Sequence, residues 1–165
     1  MANAVRRFKY GGRTDLAQPL GRLLVRAVEY TSLEADLVIP VPLHPRRLVT
    51  RGYNQAALLG AFVADLTRAP LRTNVLKRSR DTAHQAWLGR AQRLVNLQDA
   101  FEIKRPEAVA GRRVVLVDDV CTTGATLAAC CNALMKAGAI EVTALVVAYT
   151  PNIPLSERES AGSEA

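Results

Sequence analysis

The most regular hydrophobic pattern in the chain is a run of four apolar residues at positions 114–117, which is followed by Asp118 and Asp119. An unbroken apolar run predicts a strand buried on both faces, with the two carboxylates where the strand leaves the core. A short loop of small and hydroxyl residues follows, and residues 127–137 then form a compact apolar segment that Gly138 ends as a helix C-cap would. The sequence therefore predicts strand, loop and helix in that order.

Weaker periodic patterns predict further elements on both sides of this unit. Apolar residues at spacings of three and four predict helices over residues 16–30 and 56–66. Short apolar or β-branched runs predict strands over residues 36–42, 71–76, 100–103 and 141–149. Alternating strands and helices predict an α/β domain with a mainly parallel central sheet flanked by helices.

Two polar stretches interrupt this pattern. Residues 1–13 are basic, and we expect them to be partly irregular. Residues 44–55 are rich in anion-binding side chains and read as a loop, either a solvated arginine loop or a site. Their place after a strand end favours a site, because open α/β sheets bind ligands at the carboxyl ends of their strands. We expect one domain over residues 1–150 and a frayed polar tail over 151–165.

Composition narrows the class of protein. The 165 residues are 49% hydrophobic and 22% charged, as in an ordinary globular domain. No apolar run has transmembrane length and no signal-peptide pattern is present, so we expect a cytoplasmic protein. The three cysteines form no Cys-x-x-Cys pair, which argues against a zinc ribbon or a disulfide scaffold. Cys121 is interpreted as a small loop residue rather than a nucleophile, because no activating base lies near it in the sequence.

The charge of the chain points to an anionic partner. The net charge is +7, and residues 44–105 alone carry about +8. Arginine accounts for 18 of the 22 basic residues, and its side chain is suited to bidentate phosphate contacts. Either a polyphosphate substrate or a nucleic acid would fit this charge.

The loop after the acidic pair has the chemistry of a phosphate site. Gly124 permits a tight turn, and the first N–H groups of the following helix point outward at the positive end of its dipole. Hydroxyl groups of Thr122, Thr123 and Thr126 would add donors to the same anion. Carboxylates suit sugar hydroxyls and hydrated Mg²⁺ instead, so one fitting ligand is a phosphorylated ribose that carries a metal-bound diphosphate.

Two other interpretations of the acidic pair are possible. The pair could follow the Mg²⁺-binding strand of a P-loop ATPase, but no Gly-x4-Gly-Lys-Ser/Thr occurs in the chain. The acids could also be solvated turn residues, with Thr122 as a helix N-cap.

Residues 114–126 resemble the phosphoribosyl-pyrophosphate (PRPP) signature of type I phosphoribosyltransferases. The resemblance implies that Asp118 and Asp119 are the catalytic candidates, contacting ribose hydroxyls and Mg²⁺, and that the loop after them holds the 5′-phosphate. The PRPP-binding residues of this segment would be Val120, Cys121, Thr122, Thr123, Gly124, Ala125 and Thr126.

A second block resembles the ComF family, the competence-associated branch of phosphoribosyltransferase-like proteins. The matching residues are Pro-Val-Pro-Leu-His-Pro-Arg-Arg at 40–47 and Arg-Gly-Tyr-Asn-Gln at 51–55. The resemblance implies that residues 41–47 take the place of the pyrophosphate loop and that residues 77–90 belong to a flexible flap over PRPP. The ligand-binding residues it implies are Val41, Pro42, Leu43, His44, Arg46, Arg51, Asn54, Gln55, Arg78, Thr82 and Gln85.

The resemblance implies a Mg²⁺-dependent transfer of phosphoribosyl from PRPP to an unknown acceptor with release of pyrophosphate. The alternative is a non-catalytic PRPP- or nucleotide-binding module that acts in DNA uptake, competence or DNA processing through protein partners. Direct DNA binding by the basic middle of the chain is a weaker alternative, and related enzymes often form homodimers. Many ComF relatives begin with a cysteine-rich zinc ribbon that this chain lacks, which suggests a short form or a truncated start.

Overall fold

The computed structural model describes residues 2–79 and 100–150. The helices are α1 (Ala2–Tyr10), α2 (Ala17–Thr31), α3 (Pro45–Arg51), α4 (Gln55–Thr67) and α5 (Ala125–Lys136). The strands are β1 (Leu37–Pro40), β2 (Leu76–Arg78), β3 (Phe101–Ile103), β4 (Arg113–Cys121) and β5 (Glu141–Tyr149). Single 3-10 turns lie at Thr14–Leu16 and Pro106–Ala108.

The central sheet has the order β1-β4-β5, and both neighbours of β4 run parallel to it. In the register, Leu37 lies opposite Val114 and Arg113 lies opposite Glu141. Strands β2 and β3 form a separate antiparallel pair. The prediction of an α/β fold with a mainly parallel sheet is confirmed.

Strand β4 separates two hydrophobic cores. Val114 and Leu116 belong to the core that includes side chains of α5, whereas Val115 and Val117 belong to the core that includes α1, α2 and α4. All four side chains are at most 1% exposed. Successive strand residues point to opposite faces, so an unbroken apolar run is what a strand covered by helices on both sides requires.

The structure differs from the sequence prediction in both polar stretches. Residues 2–10 form α1 rather than an irregular segment, because Val5 and Phe8 lie three residues apart on one helix face and are both buried. Within the predicted loop at 44–55, residues 45–51 form α3. Its N-cap is His44, whose Nδ1 accepts the N–H of Arg46 at 3.4 Å.

The predicted strand over residues 71–76 is wrong in its extent. Only Leu71 pairs with β1, as an isolated parallel bridge to Val38, and β2 begins at Leu76. The helices predicted over 16–30 and 56–66 and the strand predicted over 141–149 are confirmed within one or two residues at each end.

Asp36 anchors the start of β4 through Arg113. Its Oδ2 accepts the backbone N–H of Arg113 at 2.9 Å and Nε at 3.2 Å, and its Oδ1 accepts Nη2 at 3.0 Å. These hydrogen bonds from Arg113 lower the pKa of Asp36 to about 2. Arg113 also pairs with the exposed carboxylate of Glu34. The two acids therefore share one guanidinium, but only Asp36 accepts a backbone N–H of Arg113 as well.

We expect Asp36→Asn to destabilise the protein at neutral pH more than Glu34→Gln does. The folded pKa of Asp36 lies below its unfolded value of about 3.9, so its contribution is fully present above about pH 5 and is lost as the pH falls towards about 2. The difference in urea midpoint between the wild type and Asp36→Asn should therefore shrink as the pH is lowered below about 4. A difference that grows on acidification would contradict this account.

Candidate functional site

The acidic pair lies within β4, which continues to Cys121, whereas the sequence interpretation placed the two acids at the point where the strand leaves the core. Asp118 pairs with Val146 of β5, and the ladder continues to Cys121 and Tyr149. On the other side, β1 ends at Pro40, opposite Val117. The acids thus extend beyond the end of one neighbouring strand, and the cleft opens on that side.

The two carboxylates point to opposite faces of the sheet. By the alternation of β4, Asp118 follows Val114 and Leu116 on the face covered by α5, and Asp119 follows Val115 and Val117 on the face covered by α4. The two carboxylates therefore have different packing neighbours, although both line the same cleft at the end of β4.

Asp119 is buried and fully engaged. Only 2% of the residue is exposed. Nζ of Lys9 lies 3.0 Å from Oδ1, and Nε2 of Gln55 donates to Oδ2 at 3.4 Å. The interpretation of both acids as solvated turn residues is therefore wrong for Asp119.

Asp118 is only partly buried and faces different chemistry. Its Oδ1 accepts the backbone N–H of Asp119 at 2.8 Å. Burial, followed by the charge of Asp119, raises the pKa of Asp118 to about 7. The Asp118 charge in turn adds to the burial that raises the pKa of Cys130 on α5 well above its usual value. A cation or hydroxyl donor near Asp118 would relieve this electrostatic strain.

The loop after β4 forms the N-terminus of α5. Gly124 is its N-cap with φ of 76°, a left-handed conformation that favours glycine, and its carbonyl accepts the N–H of Ala128 at 2.8 Å. Oγ1 of Thr123 accepts the N–H of Ala125 at 3.4 Å. Thr122 is therefore not the N-cap, and its exposed side chain remains at the cleft.

The cleft beside the acids has a volume of about 210 Å³. The predicted residues that line it are Val41, Pro42, Leu43, Arg51, Asn54, Gln55, Arg78, Asp118, Asp119, Val120, Thr122 and Thr126. The predicted residues outside its lining are His44, Arg46, Cys121, Thr123, Gly124 and Ala125. The predictions for Thr82, Gln85 and most of the flap lie outside the described residues.

The helical conformation of α3 determines which of its arginines line the cleft. Arg47 and Arg51 are four residues apart, so they share one helix face, and both line the cleft. Arg46 lies on a different face and is exposed. The resemblance implied Arg46 as a cleft residue, but the structure places Arg47 there instead, because residues 45–51 form a helix.

Asn54 and Gln55 connect α4 to the cleft. Oδ1 of Asn54 caps α4 by accepting the N–H of Ala56 at 3.0 Å, and its Nδ2 donates to the carbonyl of Val41 at 3.1 Å. These bonds hold the loop after β1 against the start of α4. Gln55 is 3% exposed, and its buried Oε1 has no hydrogen-bond partner among the residues that the structure describes. A buried acceptor without a donor is costly, so a hydrogen bond donated to Oε1 of Gln55 by a ligand or a water molecule would be stabilising.

The donor set suits a hydroxyl-rich or metal-bearing ligand. Asp118, Asp119 and Oε1 of Gln55 offer hard oxygen ligands of the kind that Mg²⁺ and sugar hydroxyls prefer. Within residues 2–79 and 100–150, no group of three or more His, Cys, Asp or Glu side chains could hold a metal ion. A Mg²⁺ ion held here would therefore take its remaining oxygen ligands from water or from a bound diphosphate.

Sequence reasoning missed the contribution of α1. Lys9 and Tyr10 line the cleft, and both also line an adjoining pocket of about 460 Å³ with Gly12, Arg47, Thr50 and Arg51. The guanidinium of Arg51 stacks over the Tyr10 ring at 5.1 Å. The Lys-Tyr pair before Gly11-Gly12 was the available signal, but it gains meaning only once α1 is known to dock on the sheet.

Comparison with known proteins defines the class. The model of the phosphoribosyl transferase domain matches residues 60–161. The fold is similar to that of an allosteric regulatory enzyme of purine biosynthesis, with TM-score 0.55 and 24% identity over 80% of this chain and 25% of that one. Leishmania donovani UMP synthase is similar as well, with TM-score 0.52 and 17% identity over 96% of this chain and 27% of that one. The chain belongs to the phosphoribosyl transferase domain family and has the type I phosphoribosyltransferase fold.

Curated relatives confirm the resemblance to ComF proteins. The chain is 36% identical over 143 residues to the DNA utilization protein YhgH of Escherichia coli strain K12. It is 37% identical over 144 residues to Competence protein F of Haemophilus influenzae. Each alignment covers 84% of this chain, and the chain spans 62% and 63% of the length of these relatives. Within the described part of the chain, no helix is long and apolar enough to cross a membrane.

Proposed function

We propose that this domain binds PRPP and transfers its phosphoribosyl group to an acceptor with release of pyrophosphate, in a Mg²⁺-dependent reaction. The observation that carries the proposal is the cleft in which two strand-borne carboxylates, a hydroxyl-rich loop and a helix N-terminus meet. Membership in the phosphoribosyl transferase domain family supports it. The acceptor is left open by the proposal.

In this proposal the 5′-phosphate binds at the loop 121–126, where the N-terminal end of α5 and threonine hydroxyls provide donors without a countercharge. Asp118 and Asp119 orient the ribose hydroxyls. Mg²⁺ would be held between these carboxylates and the diphosphate, and when bound it would neutralise negative charge on the leaving group. Gln55 would use its unpartnered Oε1 to accept a hydrogen bond from the sugar.

The basic side chains of the cleft would stabilise the departing pyrophosphate. Arg47, Arg51 and Arg78 line the cleft together with Lys9. Charge that develops on a leaving group is stabilised most effectively by donors that are already in position, because no reorganisation is needed during the reaction. The helix that carries Arg47 and Arg51 is capped by His44 at its N-terminus and ends at Gly52.

The phosphate loop is tested by Gly124→Asp, with Gly111→Asp as its matched control. Both glycines have positive φ, 76° and 72°, and neither has close neighbours, so aspartate costs similar backbone strain at each. Gly111 precedes the start of β4, far from the cleft. Calorimetric titration with PRPP and Mg²⁺ should show binding weakened by more than about tenfold in Gly124→Asp, because its carboxylate repels the phosphate.

The control should bind PRPP as the wild type does. Equal weakening in both variants would mean that strain, and not the phosphate site, is responsible. If the wild type binds no PRPP at any Mg²⁺ concentration, the proposed function is wrong.

A second candidate is a PRPP- or nucleotide-binding module that performs no chemistry and acts in DNA uptake or processing through protein partners. The names of the relatives, DNA utilization protein and Competence protein F, favour it. Binding of PRPP without release of pyrophosphate in the presence of any acceptor would support this candidate. Direct DNA binding is weaker, because a basic substrate cleft accounts for the same charge. DNA affinity that falls steeply with salt and survives excess PRPP would favour it.

A further inference from the structure

Lys9 forms an ion pair with Asp119, the carboxylate at which the proposed ligand would bind. Its Nζ lies 3.0 Å from Oδ1, and Gln55 takes Oδ2, so both oxygen atoms have a partner within the protein. The Lys9 side chain is 26% exposed, whereas that of Asp119 is 3% exposed. A ligand that enters the cleft therefore meets the ammonium group before it meets the carboxylate.

The ammonium group and a metal ion compete for the same carboxylate oxygen. Two cations on one oxygen atom repel each other, and a buried carboxylate left without any cation is strongly destabilising. Asp119 must accordingly hold one cation or the other. The buried Oε1 of Gln55 has no hydrogen-bond partner within residues 2–79 and 100–150, which is a second and independent sign that this place lacks a ligand donor.

We infer that Lys9 is an internal counter-ion of Asp119 and that the cation of an incoming ligand displaces its ammonium group. The exchange does not require α1 to leave the sheet, because Phe8 remains buried while the ammonium group moves on the flexible four-carbon stem of Lys9. The biological meaning of this exchange rests on the proposed function, in which the ligand carries Mg²⁺.

The test uses Mg²⁺ alone as the probe. A displaced ammonium group would attract the phosphates of PRPP, so PRPP affinity combines two opposing effects of Lys9. We would measure the melting temperature of the wild type, Lys9→Met and Lys136→Met during titration with MgCl₂, with NaCl at matched ionic strength as the salt control. Lys136 is an exposed lysine of α5 outside the cleft lining, so its replacement removes the same charge elsewhere.

Without Mg²⁺, the melting temperature of Lys9→Met should be lower than that of the wild type and that of Lys136→Met, because Asp119 has lost its counter-ion. Mg²⁺ should then raise the melting temperature of Lys9→Met by several times the increase seen in the wild type, where the ion competes with Lys9. Lys136→Met should respond as the wild type does. Equal Mg²⁺ responses in Lys9→Met and the wild type would overturn the inference.

A double variant keeps the test decisive if Lys9→Met folds poorly. Lys9→Met with Asp119→Asn removes both charges, so it should be more stable than Lys9→Met and should lose the enhanced Mg²⁺ response. A double variant no more stable than Lys9→Met would contradict the counter-ion role. Since none of these measurements uses PRPP, failure of PRPP binding would overturn the proposed function alone, and the melting data would decide the role of Lys9 separately.

Discussion

Replacing Asp118 and Asp119 together by asparagine should reduce pyrophosphate release from PRPP by about 100-fold or more, the scale on which loss of one preorganised electrostatic group lowers turnover. Asparagine keeps the size of each side chain and removes the negative charges that would hold Mg²⁺ and orient the ribose. In the proposed reaction the carboxylates act on bound substrate, so kcat should fall more than the affinity for PRPP does. Release of pyrophosphate under saturating PRPP and Mg²⁺ measures this effect.

Asp65→Asn provides the matched control, because Asp65 is an exposed carboxylate of α4 outside the cleft lining. It should retain the turnover of the wild type. In the double variant Lys9 loses its partner Asp119. The melting temperature of this variant shows whether that loss also destabilises the fold. A folded double variant with unchanged turnover would exclude a catalytic role for the acids and favour the non-catalytic module.

The unit from β4 to α5 was predictable because its determinants are local. The four apolar residues 114–117 determine burial on both faces of the strand, and Gly124 determines the conformation of the turn. The position at which β4 ends, by contrast, depends on the neighbouring strands. The strand continues to Cys121 because β5 supplies hydrogen-bond partners on one side, although β1 has already ended on the other. A chain read in isolation does not reveal which neighbour ends first.

The sequence was sufficient to predict that the two acids point to opposite faces, but this prediction was not made. Once residues 114–119 belong to one strand, alternation places Asp118 and Asp119 on different faces. The sequence interpretation placed the two acids at the point where the strand leaves the core and drew no conclusion about the faces on which they lie. The pairing of Asp119 with Lys9 could not be predicted, since it joins distant parts of the chain and depends on how α1 docks.

Short helices were missed for a related reason. Helices α1 and α3 have nine and seven residues, and isolated helices of that length are marginal in water. Each helix carries three basic residues and spans only about two turns, which is shorter than the window of 11–18 residues over which helical periodicity is recognised. Helix α1 forms because two apolar residues, Val5 and Phe8, find buried places that other segments provide.

Phe8→Ala should therefore lower the free energy of unfolding by about 3–5 kcal/mol, the usual cost of removing a buried aromatic side chain. Phe8 is 0% exposed, packs in the core with side chains of α2 and α4, and has its ring 6.0 Å from that of Tyr53. The Tyr53 hydroxyl also donates to the Phe8 carbonyl. Urea unfolding measures the change, and Tyr30→Ala, an aromatic residue of α2 that is 93% exposed, should stay within about 0.5 kcal/mol of the wild type.

The same variant links the core to the site. Loss of the Phe8 anchor loosens the attachment of α1, so Lys9 in the next position should hold Asp119 less firmly, and Mg²⁺ should stabilise Phe8→Ala more than it stabilises Tyr30→Ala. A large loss of stability without any change in the Mg²⁺ response would show that α1 serves the core alone. An Mg²⁺ response like that of Lys9→Met would instead show that the packing of one phenylalanine sets the charge balance in the cleft.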